Sequence, residues 1–250
     1  MSDMRAAPLL LLPGLICDAR IWPLAIHELG CPVVAPAGYD GATSLQDMAS
    51  VALQQAPARF SLLGHSMGAR VALEIVRRAP ERVERLALVS TGVHLPRAGE
   101  AASRHALLNL GRAEGIEALV DRWLPPMVAP SRLADRALLA PLTAMCVQAG
   151  VETYGRQIEA LIERPEVESL LPGIDCPTLV LVGSEDQWSP PEQHRQIASA
   201  IPGAVLGIVD GSGHMLPAEA PEAFLASVLE WLAMPLSAST TPNALAKQLA

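Results

Sequence analysis

Phe60-Ser61-Leu62-Leu63-Gly64-His65-Ser66-Met67-Gly68 is the stretch on which the reading of this chain turns. Phe60–Leu63 is an apolar run of strand length, and the residues from Met67 to Arg78 repeat with helical periodicity. Between them stands Gly-x-Ser-x-Gly, in the strand-to-helix context where that pattern makes a sharp turn with the serine at its tip. The two glycines remove side chains where strand and helix nearly collide. A serine held there is exposed, and the N–H of Met67 at the helix N-terminus can donate to a developing negative charge. Ser66 is therefore the candidate nucleophile.

Working outward, short apolar runs recur at Pro8–Leu12, Pro32–Ala35, Leu86–Ser90, Thr178–Val182 and Val205–Val209, with little polar alternation. Strands buried on both faces of a parallel sheet read this way. Helical patterns separate them at Leu45–Gln55, Met67–Arg78, Pro191–Ala200 and Pro221–Leu232, which predicts an α/β fold: a mostly parallel sheet of about six strands flanked by helices. In the second helix, Arg70, Glu74 and Arg78 fall at i, i+4 and i+8 and predict one solvated stripe, with Val71 and Ile75 facing inward. The alternation stops between about Pro96 and Pro172, where helix-like stretches near Ala101–Gly111, Ile116–Arg122, Ser131–Val147 and Glu152–Glu163 follow one another. The expected organisation is a core of residues 1–95 and 172–234, a helical cap over 96–171 and a loosely attached tail, 235–250.

A serine hydroxyl needs an adjacent base. His214, in Gly211-Ser212-Gly213-His214-Met215, follows the last strand and precedes the last helix, which places it at the same carboxyl edge of the sheet as Ser66. Asp186, in Val182-Gly183-Ser184-Glu185-Asp186, follows the strand before it; Glu185 and Asp210 are the rival acids.

With these residues the chain resembles the α/β-hydrolase fold enzymes that carry a cap, over about residues 8–233, and the order Ser66, Asp186, His214 is theirs. The resemblance implies a second oxyanion donor from the residue after a His-Gly pair in the first loop. Here the pair is Pro13-Gly14, so the implied donor is the Leu15 N–H, with Ile16 next in line. Dehalogenases and epoxide hydrolases of this fold use aspartate where this chain has serine. The resemblance implies a serine esterase acting on a small-molecule carboxylic ester. Thioesterases, carbon–carbon bond hydrolases and small-molecule receptors of the same fold remain alternatives.

Trp123, Met127 and Met145 in the cap, with Trp188, are candidates for an apolar substrate wall, and Ile16, His94 and Met215 for further contacts. His65 reads as a packed residue of the turn, and His27, His105 and His194 as surface or cap residues. Arg20, Arg70 and Arg156 are candidates for holding a carboxylate, with no spacing that selects one.

Composition narrows the classes further. The net charge of −8 opposes phosphate contacts, so no nucleic-acid partner is expected. Lys247 is the only lysine, which excludes a P-loop and a PLP Schiff base. Cys17, Cys31, Cys146 and Cys176 lack metal-ligand spacing and read as reduced thiols, so neither metal nor cofactor is expected. The apolar run Leu9–Leu12 is too short to span a membrane, and the expected setting is cytoplasmic, as a monomer or homodimer.

Overall fold

Four consecutive leucines, Leu9–Leu12, are almost fully buried and form β1, whose neighbours cover both of its faces. The computed structural model describes residues 7–36, 38–39 and 41–236. The other strands are β2 (Val33–Val34), β3 (Phe60–His65), β4 (Val83–Val89), β5 (Thr178–Gly183) and β6 (Val205–Val209). They make one sheet in the order β2-β1-β3-β4-β5-β6, and every pairing is parallel. The carboxyl ends of all six strands therefore lie along one edge.

The helices are α1 (Leu45–Gln55), α2 (Met67–Arg78), α3 (Glu100–Glu114), α4 (Ile116–Trp123), α5 (Arg136–Ala149), α6 (Val151–Ile162), α7 (Pro191–Ala200), α8 (Leu216–Glu219) and α9 (Pro221–Leu232). Local chemistry sets several starts: the Ser44 hydroxyl accepts the Asp47 N–H at α1, and Asp135 accepts the Leu138 N–H at α5. Helices α3 to α6 run consecutively between β4 and β5, and α3 packs on α4 and α6 while α5 packs on α4. The expected tail falls largely on residues 237–250, outside the described residues.

Three expectations need correction. First, β4 begins at Val83 rather than Leu86, because the polar and only partly covered pair Glu84-Arg85 separates the buried Val83 from the apolar run that follows. Second, β6 is an edge strand with Val205 and Ile208 exposed, although its sequence reads like a doubly buried one. Third, the charged stripe on α2 is not solvated: Arg70 and Glu74 are buried and only Arg78 is exposed. The reason is that α2 packs against α1, β1, β3 and β4, while the Arg70 side chain runs beneath the segment around His94. Among the described residues, no helix is long and apolar enough to cross a membrane.

Candidate active site

The turn between β3 and α2 holds Ser66 at φ 55° and ψ −116°, a conformation that side-chain-bearing residues adopt only at a cost. The glycines around it answer to distances. A Cβ on Gly64 would stand 2.5 Å from Ala69 Cα, and one on Gly68 would stand 2.0 Å from the Leu12 carbonyl oxygen. Strand and helix thus pass too closely for any other residue, and the Ser66 hydroxyl is pushed out at the sheet edge.

His214 reaches it from the loop after β6. The Ser66 Oγ–H donates to His214 Nε2 at 2.8 Å, and His214 Nδ1–H donates to Asp186 Oδ2, also at 2.8 Å. The other Asp186 oxygen accepts the N–H groups of Trp188 at 3.0 Å and Ser189 at 2.7 Å. Burial raises the cost of ionising Asp186, but the His214 charge and hydrogen bond together with the Ser189 N–H outweigh it, so its pKa lies below the usual carboxylate value. Asp186 is thus the acid beside His214. Asp210 instead accepts from the Ser184 hydroxyl at 3.1 Å.

Two backbone N–H groups next to Ser66, those of Leu15 and Met67, have no acceptor among the described residues, and both residues line the cavity in front of the serine. The Ile16 N–H is not available, because it donates to Gln157 Oε1 on α6 at 2.7 Å. Ile16 has φ 47°, in the left-handed region.

The cavity has a volume of about 420 Å³, within the range of small-molecule sites. Of the residues singled out from sequence, Ser66, His214, Leu15, Met67, His94, Trp123, Met127 and Trp188 line it. Ile16, Met145 and Met215 do not. Ile16 and Met145 are buried in the core, the latter on α5, and Met215 is held by bonds from its N–H to the Met127 carbonyl and to Glu219. Of the three arginines singled out from sequence, Arg70 also lines the cavity, and the structure adds Arg97, Arg104 and Arg164 to it as a wall, with Glu100 among them. Arg20 instead pairs with Asp18, and Arg156 donates to Thr153 Oγ1.

Several supporting residues were not expected from sequence. Glu219 is buried and its carboxylate accepts the N–H groups of Ala129, Gly213 and Met215, tying the histidine loop to the segment between α4 and α5. The N–H groups of His214 and Met215 also donate to the Met127 carbonyl. His194 is not a surface residue: it is fully buried, and its Nε2 accepts the Thr91 N–H at 2.8 Å. The Thr91 hydroxyl donates to the Ser66 carbonyl, so this pair braces the turn. His65, by contrast, is expected from sequence as a packed residue of the turn, and it donates from Nε2 to the His214 carbonyl at 2.8 Å. Burial, reinforced by the neighbouring His214, pushes the His65 pKa down to about 3, and burial lowers that of His194 to about 4, so both rings are neutral braces. The only sequence signal for any of these was position, since each is anchored to backbone far away along the chain.

The sequence pattern of the alpha/beta hydrolase family matches residues 9–227. The RutD protein of Klebsiella pneumoniae, proposed by its name to be a carbamate hydrolase, is 30% identical over 183 residues, covering 72% of this chain and 68% of that protein. A pimeloyl-[acyl-carrier protein] methyl ester esterase from Nitrosomonas europaea is 26% identical over 214 residues, covering 80% of this chain and 82% of the other. Among solved structures, a thermophilic esterase from Thermogutta terrifontis with malate bound superposes with a TM-score of 0.82 at 27% identity, covering 90% of this chain and 89% of that one.

Proposed function

This chain belongs to the alpha/beta hydrolase family, and from that premise we propose that it is a carboxylic ester hydrolase working through Ser66, His214 and Asp186. The observation that carries the reading is the continuous hydrogen-bonded line from Asp186 through His214 to Ser66, with two N–H groups unengaged among the described residues beside the serine, over a small cavity. A hydrolase needs this combination, whereas a structural turn has no use for it.

In the proposed mechanism His214 Nε2 takes the Ser66 proton as Oγ attacks the ester carbonyl. The charge forming on the carbonyl oxygen is met by the Leu15 and Met67 N–H groups, which need not reorganise. Asp186 keeps its charge, fixes the imidazole tautomer and stabilises the cation that forms. His214 then delivers its proton to the departing alcohol, leaving an acyl-Ser66. In the second half His214 activates a water against that acyl group, and Ser66 is released with the carboxylic acid.

The test is hydrolysis of p-nitrophenyl esters from acetate to dodecanoate by the wild type and Ser66→Ala. A loss of kcat of about 10⁴-fold or more in the variant is expected. Serine-independent turnover would sink the mechanism. Carbamates belong in the same assay as a second reading, because the 30%-identical relative is named for them and the same tetrahedral chemistry would apply.

A further inference from the structure

Arg70, Arg104 and Arg164 come from α2, α3 and the segment after α6, and all three are buried against the cavity that holds Ser66. Glu100 is the carboxylate that lines the cavity with them, and it is fully used. Its Oε1 accepts from Arg164 Nη1 at 2.6 Å and from Arg104 Nε at 3.0 Å; its Oε2 accepts from Arg164 Nη2 at 2.8 Å and from the Arg97 N–H at 3.1 Å.

Arg70 has no such partner. Its Nη2 donates to the His94 carbonyl at 2.7 Å, where it meets Arg164 Nε donating to the same oxygen at 3.0 Å. Its Nη1 is buried without an acceptor among the described residues, and the whole residue is 5% exposed. Glu74, one turn further along α2, is engaged with Arg77 instead. A guanidinium carries donors on a fixed plane and stays charged, so leaving one buried and half satisfied is costly. The cost shows: burial, with repulsion from Arg164 and Arg104, pulls the Arg70 pKa down to about 9, against attraction from Glu100 and Glu168. The group is nonetheless retained beside the nucleophile.

We propose that this wall is a carboxylate subsite centred on Arg70, so that the ester cleaved at Ser66 carries a second, free carboxylate, as in the half-ester of a short dicarboxylic acid. A carboxylate supplies the acceptor that Arg70 lacks, in a wall whose four arginines face one glutamate, and matches the guanidinium fork. The cavity, about 420 Å³, contains both the serine and the arginines, which limits the spacer between the two carboxyl carbons to a few methylenes. This proposal rests on the esterase reading above and specifies its substrate.

The experiment compares monoethyl glutarate and monoethyl adipate with ethyl valerate and ethyl hexanoate by pH-stat, in wild type, Arg70→Gln and the surface variant Arg112→Gln. The wild type is expected to favour the charged esters at least tenfold in kcat/KM. That ratio is expected to fall at least tenfold in Arg70→Gln and to persist in Arg112→Gln. Serine-dependent hydrolysis of the neutral esters with no preference for the charged ones overturns the subsite and leaves the esterase standing. Failure on every ester overturns the esterase instead. The subsite is then read by thermal unfolding of the wild type, where glutarate is expected to raise the Tm and 1,5-pentanediol is not. Equal shifts, or none, overturn it even if Arg70→Gln fails to fold.

Discussion

At Ser66 two demands meet, because the residue must carry a hydroxyl and must adopt φ 55°. Such a backbone costs a non-glycine residue roughly 1–3 kcal/mol. Glycine removes that cost while loosening the unfolded chain by roughly 0.4–1 kcal/mol. Ser66→Gly is therefore expected to be inactive yet at least as stable as Ser66→Ala in thermal unfolding; a glycine variant that melts below the alanine one would argue against stored strain. Glu219 is the second residue whose weight a substitution exposes. Glu219→Gln turns an amide N–H₂ toward backbone donors that now share one charged carboxylate, and about 2–4 kcal/mol of stability is expected to be lost. The kcat should fall with it, since the same bonds hold the histidine loop; urea unfolding and ester turnover measured together check both. At this scale the sequence was legible where chemistry leaves a motif, as at Ser66, Asp186 and His214. Glu219, His194 and Gln157 leave none, because each binds main chain brought near only by folding.

Among the elements, the β3–α2 unit shows why a pattern of glycines could be read and a pattern of charges misled. Gly64 and Gly68 are demanded by approach distances of 2.5 and 2.0 Å, a purely local requirement that local sequence records. The spacing of Arg70, Glu74 and Arg78 says only that they share a face of α2. What covers that face comes from elsewhere: Arg164, about ninety residues downstream, shares the His94 carbonyl with Arg70. The edge position of β6 is likewise set by strand order and not by its own composition. Gly68→Ala tests the close approach. Its Cβ would meet the Leu12 carbonyl, which cannot move without dragging β1, so a loss of about 3 kcal/mol or more is expected in denaturant unfolding. Activity should also drop, because Met67 and the loop after β1 would be pushed apart.

On the scale of the whole molecule, the segment between β4 and β5 is held together by ion pairs that respond to acid, since Glu100 and its partners Arg104 and Arg164 all lie within it. Burial opposes ionisation of Glu100, but its bonds from Arg164 and the Arg97 N–H and the nearby charge of Arg104 prevail and hold its pKa at about 2. A carboxyl with a depressed folded pKa contributes stability that is complete above its unfolded value, near 4.5, and is lost as pH falls toward 2. Asp186 shifts in the same direction and adds to the loss. The Tm of the wild type should therefore exceed that of Glu100→Gln at pH 6, and the gap should narrow between pH 4.5 and 2. A gap that stayed constant across that window would show that the ion pairs contribute nothing. The bond from the Ile16 N–H to Gln157 has a further bearing, on how this scaffold can change by exchange of parts. An insertion borrowed from a relative would bring its own pocket walls, but unless it also placed an acceptor at the position of Gln157, the loop bearing the Leu15 N–H would lose its tether. Swapped lids in this chain would then fail in turnover before they failed in recognition, and a chimaera repaired by a single glutamine would recover both.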